Sequence, residues 1–370
     1  MKKLLVVSDP LAPPGFSPRV RFLCDYFVQK GYDVTLLTEE DKPLTFAHTY
    51  PIQTIRMYNG TTFDWLVKTV WTLISDWHNR VFAQRAMAVL PNDYDAVLCT
   101  VFSDFPLGAG LRIARELHIP LVCDIRDMEE QVENSFYQYH HKSRWLMPFR
   151  HIYRLIHRHR RNNVLRAANA ITTVSPWHAE FIRTITHNQS PITIIYNGYD
   201  ALQFYPKELR TEQFVVSYIG TLHEWQQPAL EKVKQVIEEL RQPDIVLDIH
   251  TPQQNPVSHD QMGDAVRRSS IVLVLTAPHT HGMLTTKFYE ALGCEKPILC
   301  VPSDKGCLAE LIDYTNAGIA TEDTKEIKAF ILDQYNMWKQ NGYTYQPTQH
   351  REDFSRAYQT QQFEQIIQCL

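Results

Sequence analysis

Residues 192–220 read ITIIYNGYDALQFYPKELRTEQFVVSYIG, and this stretch decides the fold. The apolar run at 192–196 predicts a β-strand, and the run at 214–219 predicts another strand that ends at Gly220. Between them, residues 197–206 are rich in Asn, Gly, Asp and Pro, which favour turns and linkers. The pattern therefore predicts that one unit of structure closes here and a second one begins.

Short apolar runs alternate with helical patterns on both sides of this linker, as is typical of an α/β fold with parallel sheets. Before the linker, strands are predicted at residues 4–8, 33–37, 96–101, 121–125 and 171–174, and helices at 20–30 and 107–117. After it, strands are predicted at 245–249, 271–275 and 297–301, and helices at 229–240 and 286–292. Residues 354–370 predict a final amphipathic helix.

The composition fits a globular chain of two domains. The 370 residues are 44% hydrophobic and 21% charged, which excludes collagen, a coiled coil and long disorder. No apolar run approaches the ~18 residues of a membrane-spanning helix, and residues 1–7 are interpreted as a first strand and not as a signal peptide. Seven cysteines without a Cys-x-x-Cys pair are typical of reduced thiols in a cytoplasmic protein.

Ligands of open α/β sheets bind beyond the carboxyl ends of the strands, so the loops there are candidate sites. In the loop at 10–19, Gly15 permits close approach of a ligand, and Arg19 stands at a helix start where a cation suits a bound anion. A rigid capping turn is the alternative. Asp124 or Asp127 is expected to accept a hydrogen bond from a substrate hydroxyl, unless the cluster at 124–127 is a salt-bridged structural corner.

The most informative loop is at residues 279–292, where a polar segment leads into a helix. Lys287 and Glu290 are spaced i, i+3 and share one helix face. The sharper hypothesis is that Lys287 binds a phosphate and Glu290 binds ribose hydroxyls, and the alternative is a surface ion pair. His279 and His281 have no third ligand at a helical spacing, so no metal site is predicted. The loop at 302–310 suits either a nucleotide edge or a simple turn.

A basic segment runs from residue 142 to residue 166, with no Asp or Glu between Glu133 and Glu180. One stripe of a predicted helix carries Arg150, Arg154, Arg158 and Arg161, and the opposite stripe is apolar. Such a helix suits an anionic membrane surface or a lipid-phosphate acceptor. The alternative is a solvated face whose apolar stripe packs on the first sheet. Residues 63–77 predict a second surface helix of the same kind. The net charge of −4 and the lack of a nucleic-acid motif argue against a nucleic-acid partner.

Several motifs, in this order along the chain, together resemble glycosyltransferases of the GT-B fold, closest to family 4 (group 1). They are DIRD at 124–127, TTVSP at 172–176, IYNGYD at 195–200, YIGTL at 218–222 and KFYEALGCEKPI at 287–298. The resemblance implies two Rossmann-like doubly wound domains that face a central cleft. Residues 1–196 would bind the acceptor, residues 207–350 would bind the nucleotide-sugar donor, and the helix at 354–370 would pack back onto the first domain.

The resemblance also implies the activity. A retaining, metal-independent enzyme without cofactors would move a sugar from a nucleotide-sugar to a glycan or lipid-linked acceptor in bacterial surface polysaccharide synthesis. The protein would be cytoplasmic or peripheral on the inner face of the cell membrane. Two alternatives stay open: a nucleotide-sugar 2-epimerase of the same fold, and a catalytically silent nucleotide-sugar-binding scaffold.

The same resemblance selects the site residues. The catalytic candidates are Glu290, Lys287 and Asp124. The donor-binding candidates are Gly15, Arg19, Gly220, Thr221, Gly282, Met283, Leu284, Thr285, Lys287 and Glu290. The family pattern has a Glu where this chain has Gly282, and an Arg and a Lys in the loop after Gly220 that this chain lacks. Main-chain N–H groups are candidates to replace that Glu, and Lys287 with Arg19 to neutralise the diphosphate.

Overall fold

The computed structural model describes residues 2–9, 18–40, 47–58, 60–101, 105–132, 147–187, 190–276 and 280–370. The chain divides into two compact units. The first comprises Met1–Ile195 and Thr360–Leu370, and the second comprises Tyr196–Gln359. The linker quoted above therefore belongs to the second unit, and the final helix contributes its last turns to the first.

The first unit is built on a parallel seven-stranded sheet. Its strands are β1 (Lys3–Ser8), β2 (Asp33–Glu39), β3 (Ile52–Ile55), β4 (Ala96–Val101), β5 (Leu121–Ile125), β6 (Ala170–Thr173) and β7 (Ile192–Ile194). Their spatial order is β3-β2-β1-β4-β5-β6-β7. The central strands β4 and β5 are buried along their whole length, which explains their continuous apolar sequences.

Helices cover both faces of this sheet. They are α1 (Pro18–Gln29), α2 (Thr62–Ser75), α3 (Trp77–Met87), α4 (Leu107–Leu117), α5 (Met147–Ala167) and α6 (Pro176–Thr186). One core lies under α3, α4 and α6. The other joins Leu4, Val6 and Phe27 to Phe363 and Ile367 of the final helix.

The second unit contains a parallel five-stranded sheet of order β12-β11-β10-β8-β9. Its strands are β8 (Phe214–Ile219), β9 (Ile245–His250), β10 (Ile271–Leu275), β11 (Ile298–Val301) and β12 (Gly318–Ala320). Its helices are α7 (Gln227–Leu240), α8 (Met262–Arg268), α9 (Thr286–Gly293), α10 (Cys307–Tyr314), α11 (Thr324–Asn341) and the start of α12 (Arg356–Gln368). The strand order places the loops after β8, β10 and β11 side by side at one edge of the sheet.

The predicted α/β class is confirmed, with corrections at three places. The helix predicted at 63–77 ends two residues earlier, at Ser75, because Asp76 adopts a left-handed conformation (φ 53°) that terminates α2 before α3 begins at Trp77. The final helix begins at Arg356, since Phe354 belongs to a separate 3-10 turn. The short edge strands β3 and β12 were not predicted. Within the residues described, no helix is both long and apolar enough to cross a bilayer.

Candidate functional site

Lys287 crosses the backbone at the carboxyl end of β8. Gly220 has φ 134°, and a Cβ built there would lie 2.7 Å from Lys287 Cε and 2.8 Å from Nζ. Only glycine therefore leaves room for this side chain. The ammonium nitrogen lies 5.2 Å from the ring centroid of Tyr218, within the range of a cation–π contact.

The Lys287 ammonium is largely shielded from solvent. Burial lowers its pKa, and the charge of Glu290 partly opposes that effect. In the part of the chain that the structure describes, Nζ makes no hydrogen bond or ion pair. Its donors therefore stay available to an anion that replaces the lost water.

Glu290 lies one turn further along α9. Burial raises the pKa of its carboxyl, against the charges of Lys287 and Arg356, which lower it. Glu290 and Lys287 form no ion pair within 4.0 Å, although both are described, so the alternative of a surface ion pair is wrong. A half-buried carboxylate of this kind is suited to accept hydrogen bonds from ligand hydroxyls.

The segment before α9 holds four more of the predicted donor-binding residues, at positions 282–285. Thr285 caps the helix, its hydroxyl accepting from the N–H of Lys287 at 3.4 Å. Gly282 adopts φ 63°, a left-handed conformation that favours glycine. Leu284 is buried, whereas Met283 is exposed. The left-handed backbone thus explains why this chain has glycine at position 282, where the family pattern has Glu.

A buried glutamine that the sequence analysis missed holds the loop after β8. Gln226 Nε2 donates to the carbonyl of Leu275 at 2.6 Å, and its Oε1 accepts from the N–H of His223 at 3.0 Å. The Tyr218 hydroxyl donates to the carbonyl of Thr221 at 2.6 Å. These bonds fix the backbone beside the Lys287 ammonium. A lone Gln in a polar loop gives no sequence signal for this role.

The loop after β11 is a self-satisfied turn. The carboxylate of Asp304 accepts from the N–H groups of Gly306 (3.3 Å), Leu308 (3.0 Å) and Ala309 (2.9 Å). These N–H groups at the start of α10 already have a carboxylate partner. The simple-turn interpretation of residues 302–310 is therefore favoured over a phosphate site.

In the first unit, Arg19 and Asp124 form a buried ion pair. Arg19 Nη2 and Nε lie 2.9 and 3.1 Å from the two Asp124 oxygens, which also accept from Thr100 (2.9 Å) and Thr172 (2.7 Å). Burial alone would raise the pKa of Asp124, but the Arg19 charge and the hydrogen bonds from Arg19 and Thr172 hold it below its usual value. This ion pair favours the structural-corner interpretation of Asp124 over a catalytic role, and it makes Arg19 the counter-ion of Asp124.

In the cluster at residues 124–127, Asp124 is buried, whereas the carboxylate of Asp127 keeps access to solvent. It accepts from Gln131 Nε2 at 3.0 Å, and Gln131 Oε1 lies 2.8 Å from Nε2 of His178. Burial lowers the pKa of His178 to about 4, so the ring is neutral and can donate to Gln131 from Nε2. Burial raises the pKa of Asp127 to about 6, with Asp9 adding to the rise and with Gln131 and Arg126 opposing it. Of the two predicted hydroxyl acceptors, Asp127 is the available one.

The raised pKa of Asp127 predicts a pH-dependent gain in stability for Asp127→Asn. A carboxyl whose pKa rises on folding stabilises the fold when protonated, and that contribution is lost as pH rises from about 4 through about 6. The variant should therefore have a higher Tm than the wild type at pH 7, and the difference should shrink towards pH 4. Thermal unfolding across this range measures it. The exposed Asp313→Asn serves as the control, and an equal Tm at pH 7 would contradict the prediction.

The arginines of α5 face acidic partners. Arg154 and Arg158 each place Nε next to Glu129 Oε2, at 3.1 and 3.2 Å. Arg161 is only 4% exposed and binds Glu130 at 2.7 and 2.8 Å. The expected open stripe of four arginines is therefore wrong for these three, while the side chain of Arg150 lies outside the described residues.

The structure also tests the expected packing of the apolar side of α5. The apolar side of α5 does not pack wholly on the sheet, because Ile152, Tyr153 and Leu155 are exposed. Gly15 and His279 lie outside the described residues. Among the residues that are described, no three His, Cys, Asp or Glu side chains are grouped as metal ligands would be.

Comparison with known proteins bears on this geometry. The family model described as Glycosyltransferase Family 4 matches residues 15–202. No curated protein sequence matches the chain.

Solved structures match over nearly the whole chain. Sucrose-phosphate synthase from Thermosynechococcus elongatus is 14% identical with a TM-score of 0.67, covering 100% of this chain and 99% of that one. HepE from Anabaena in complex with UDP-glucose is 15% identical with a TM-score of 0.61, covering 100% of both chains. A glycosyltransferase from Rickettsia africae is 11% identical with a TM-score of 0.61, covering 99% and 98%. Together with the two parallel sheets, these similarities confirm the predicted GT-B fold class.

Proposed function

Because the chain belongs to glycosyltransferase family 4, we propose that it transfers a sugar from a nucleotide-sugar donor to a glycan or lipid-linked acceptor, with retention at the anomeric carbon and without a metal ion. We place this reaction in bacterial surface polysaccharide synthesis. Family membership establishes a glycosyltransferase. The acceptor, the stereochemistry, the metal independence and the pathway are parts of the proposal.

The observation that carries the proposal is the desolvated Lys287 ammonium beside Gly220, with Glu290 one turn further on. Cleavage of the donor leaves a nucleoside diphosphate whose negative charge grows in the transition state. A fixed cation at that point lowers the barrier without reorganisation of water. Glu290 then accepts from ribose hydroxyls, and Asp127 takes the hydroxyl-accepting role that was expected of Asp124.

The two alternatives are less favoured. A 2-epimerase would interconvert a free nucleotide-sugar without an acceptor, and a silent scaffold would bind the donor without turnover. Membership of a glycosyltransferase family supports transfer over both. Incubation of the protein with a donor alone separates them, because only an epimerase produces a second nucleotide-sugar.

We propose the cytoplasm, at the inner face of the membrane, as the place of action. All seven cysteines carry free thiols and six of them are buried, in keeping with a reducing compartment. Exposed apolar side chains on α2 and α5 support contact with a membrane.

A thermal-shift panel with UDP, GDP, CMP, dTDP and their common sugar conjugates tests donor binding. Uridine diphosphate sugars come first, because HepE was solved with UDP-glucose. A ligand present at about 100 times its Kd adds about 2.7 kcal/mol to the stability of the native state. That corresponds to a rise in Tm of roughly 5 °C or more. We expect one nucleotide to give this shift and Lys287→Met to lose most of it.

Lys234→Met is the matched control, since Lys234 is an exposed lysine on α7 in the same unit. No shift with any nucleotide, or an unchanged shift in Lys287→Met, would contradict the donor site. With a donor in hand, NMR of the product identifies the anomer, and an inverted anomer would overturn retention. Loss of transfer on addition of EDTA would overturn metal independence.

A further inference from the structure

A pocket of about 230 Å³ in the first unit is lined by charged side chains from α4 and α5 and from the residue that joins α2 to α3. The charged or titratable residues on its wall are Asp76, Arg112, Arg115, His157, Arg160 and Arg161. Four arginines thus meet one aspartate. This pocket is separate from the Lys287 and Glu290 site, which lies in the second unit.

The ion pairs leave this pocket with an excess of positive charge. Arg161 is neutralised by Glu130, at 2.7 and 2.8 Å. Asp76 is shared by Arg112 at 3.1 Å and Arg160 at 3.8 Å. The guanidinium group of Arg115 has no ion pair or hydrogen bond with the residues that the structure describes. Three guanidinium groups therefore face one carboxylate, which leaves two net positive charges.

Exposed apolar side chains adjoin the pocket on its α2 side. Arg160 donates two hydrogen bonds to the backbone of α2. Its Nη1 donates to the carbonyl of Thr72, and its Nη2 donates to the carbonyl of Leu73 at 2.7 Å. This contact brings the pocket wall to the last turn of α2. Exposed large hydrophobic residues stand on the same helix: Val70 (47% exposed), Trp71 (52%) and Ile74 (70%). We call these three residues the α2 apolar patch.

The α5 side of the pocket is similar. The ring of His157 lines the pocket, and its centroid lies 4.0 Å from that of Tyr153. Tyr153 is itself exposed, one turn before His157. Exposed large apolar side chains that lie together mark surfaces that contact a protein or a membrane.

We propose that this pocket binds the phosphate group of an anionic membrane lipid while the α2 apolar patch enters the interfacial layer of the bilayer. Guanidinium groups match phosphate oxygens with paired hydrogen bonds. Tryptophan and aliphatic side chains beside a basic surface favour the headgroup region. The occupant is thus a lipid phosphate, since a soluble phosphate would leave the α2 apolar patch in water. The inference rests on the proposed location at a membrane, but not on sugar transfer.

Vesicle co-sedimentation of the full chain, without donor or acceptor, tests the inference. We expect binding to phosphatidylcholine vesicles that contain phosphatidic acid, and little binding to phosphatidylcholine alone. Arg112→Ala/Arg115→Ala should weaken binding about tenfold or more, and so should Trp71→Ser/Ile74→Ser. Both pairs are surface residues, so the variants should keep the wild-type Tm. Arg183→Ala is the matched control, an exposed arginine of the same unit on α6.

Three outcomes would overturn the inference. The wild type could fail to bind vesicles with phosphatidic acid, or Arg112→Ala/Arg115→Ala could bind as well as the wild type. Alternatively, glycerol 3-phosphate could compete fully while Trp71→Ser/Ile74→Ser binds normally, which would show a soluble phosphate ligand. Donor binding in the thermal-shift panel is independent of all three, so failure here is distinguishable from failure of the proposed function.

Discussion

Asp124→Asn is expected to lower the free energy of unfolding of the first unit by about 3–5 kcal/mol, because it leaves the buried guanidinium of Arg19 without its counter-charge. The amide also cannot accept all four hydrogen bonds that the two carboxylate oxygens accept from Arg19, Thr100 and Thr172. Urea unfolding at pH 7, followed by circular dichroism, measures the shift in midpoint.

Unfolding at low pH is a second test of the ion pair between Arg19 and Asp124. The pKa of Asp124 is lowered in the fold, so the pair stabilises the protein at neutral pH and its contribution is lost as pH falls below about 4. The difference in free energy of unfolding between the wild type and Asp124→Asn should therefore become smaller in acid. The double variant Arg19→Met/Asp124→Leu should recover part of the loss, since it removes both charges together. A loss below about 1 kcal/mol at pH 7, the range of an exposed ion pair, would argue against a buried one.

The fold is predictable from this sequence wherever burial leaves a regular apolar pattern. The strand at Leu121–Ile125 matches its predicted bounds because it is buried throughout, and the helix at Leu107–Leu117 matches because one side of it is buried. Strands β3 and β12 lie at sheet edges, are short and are only partly buried, so their sequences carry no such pattern. The end of α2 at Asp76 is set by a left-handed backbone conformation, which the pattern of apolar residues does not reveal.

The residues of the candidate sites also fall into two groups: those that local spacing predicts and those whose partners are distant in sequence. Lys287 and Glu290 are three residues apart, so helical geometry alone places them on one face. The partner of Arg19 is 105 residues away, and no local pattern identifies it. The arginine stripe of α5 looks free in sequence because Glu133–Glu180 brackets a stretch without acids. Glu129 and Glu130 lie just upstream of that stretch, and only the tertiary fold brings them onto Arg154, Arg158 and Arg161.

Glu290→Gln should separate activity from stability. Because burial raises the pKa of this carboxyl, its ionised form costs free energy in the unliganded protein at neutral pH, and the neutral amide removes that cost. The free variant should therefore have an equal or higher Tm than the wild type at pH 7. Donor turnover should fall roughly 10- to 100-fold, since a carboxylate-to-hydroxyl hydrogen bond contributes about 1.5–3 kcal/mol.

The measurement pairs initial rates of sugar transfer, using the donor that the binding panel identifies, with Tm of the free protein. Glu238→Gln on α7 is the control, because that glutamate is exposed and in the same unit. A purely structural Glu290 would give the opposite pattern, with a lower Tm and a rate that recovers at low temperature.

If Lys287→Met and Glu290→Gln act on one bound donor, their effects on turnover should be non-additive in the double variant, because each removes a contact that positions the other. Strict additivity would place the two side chains in separate roles and would contradict a shared nucleotide site on α9.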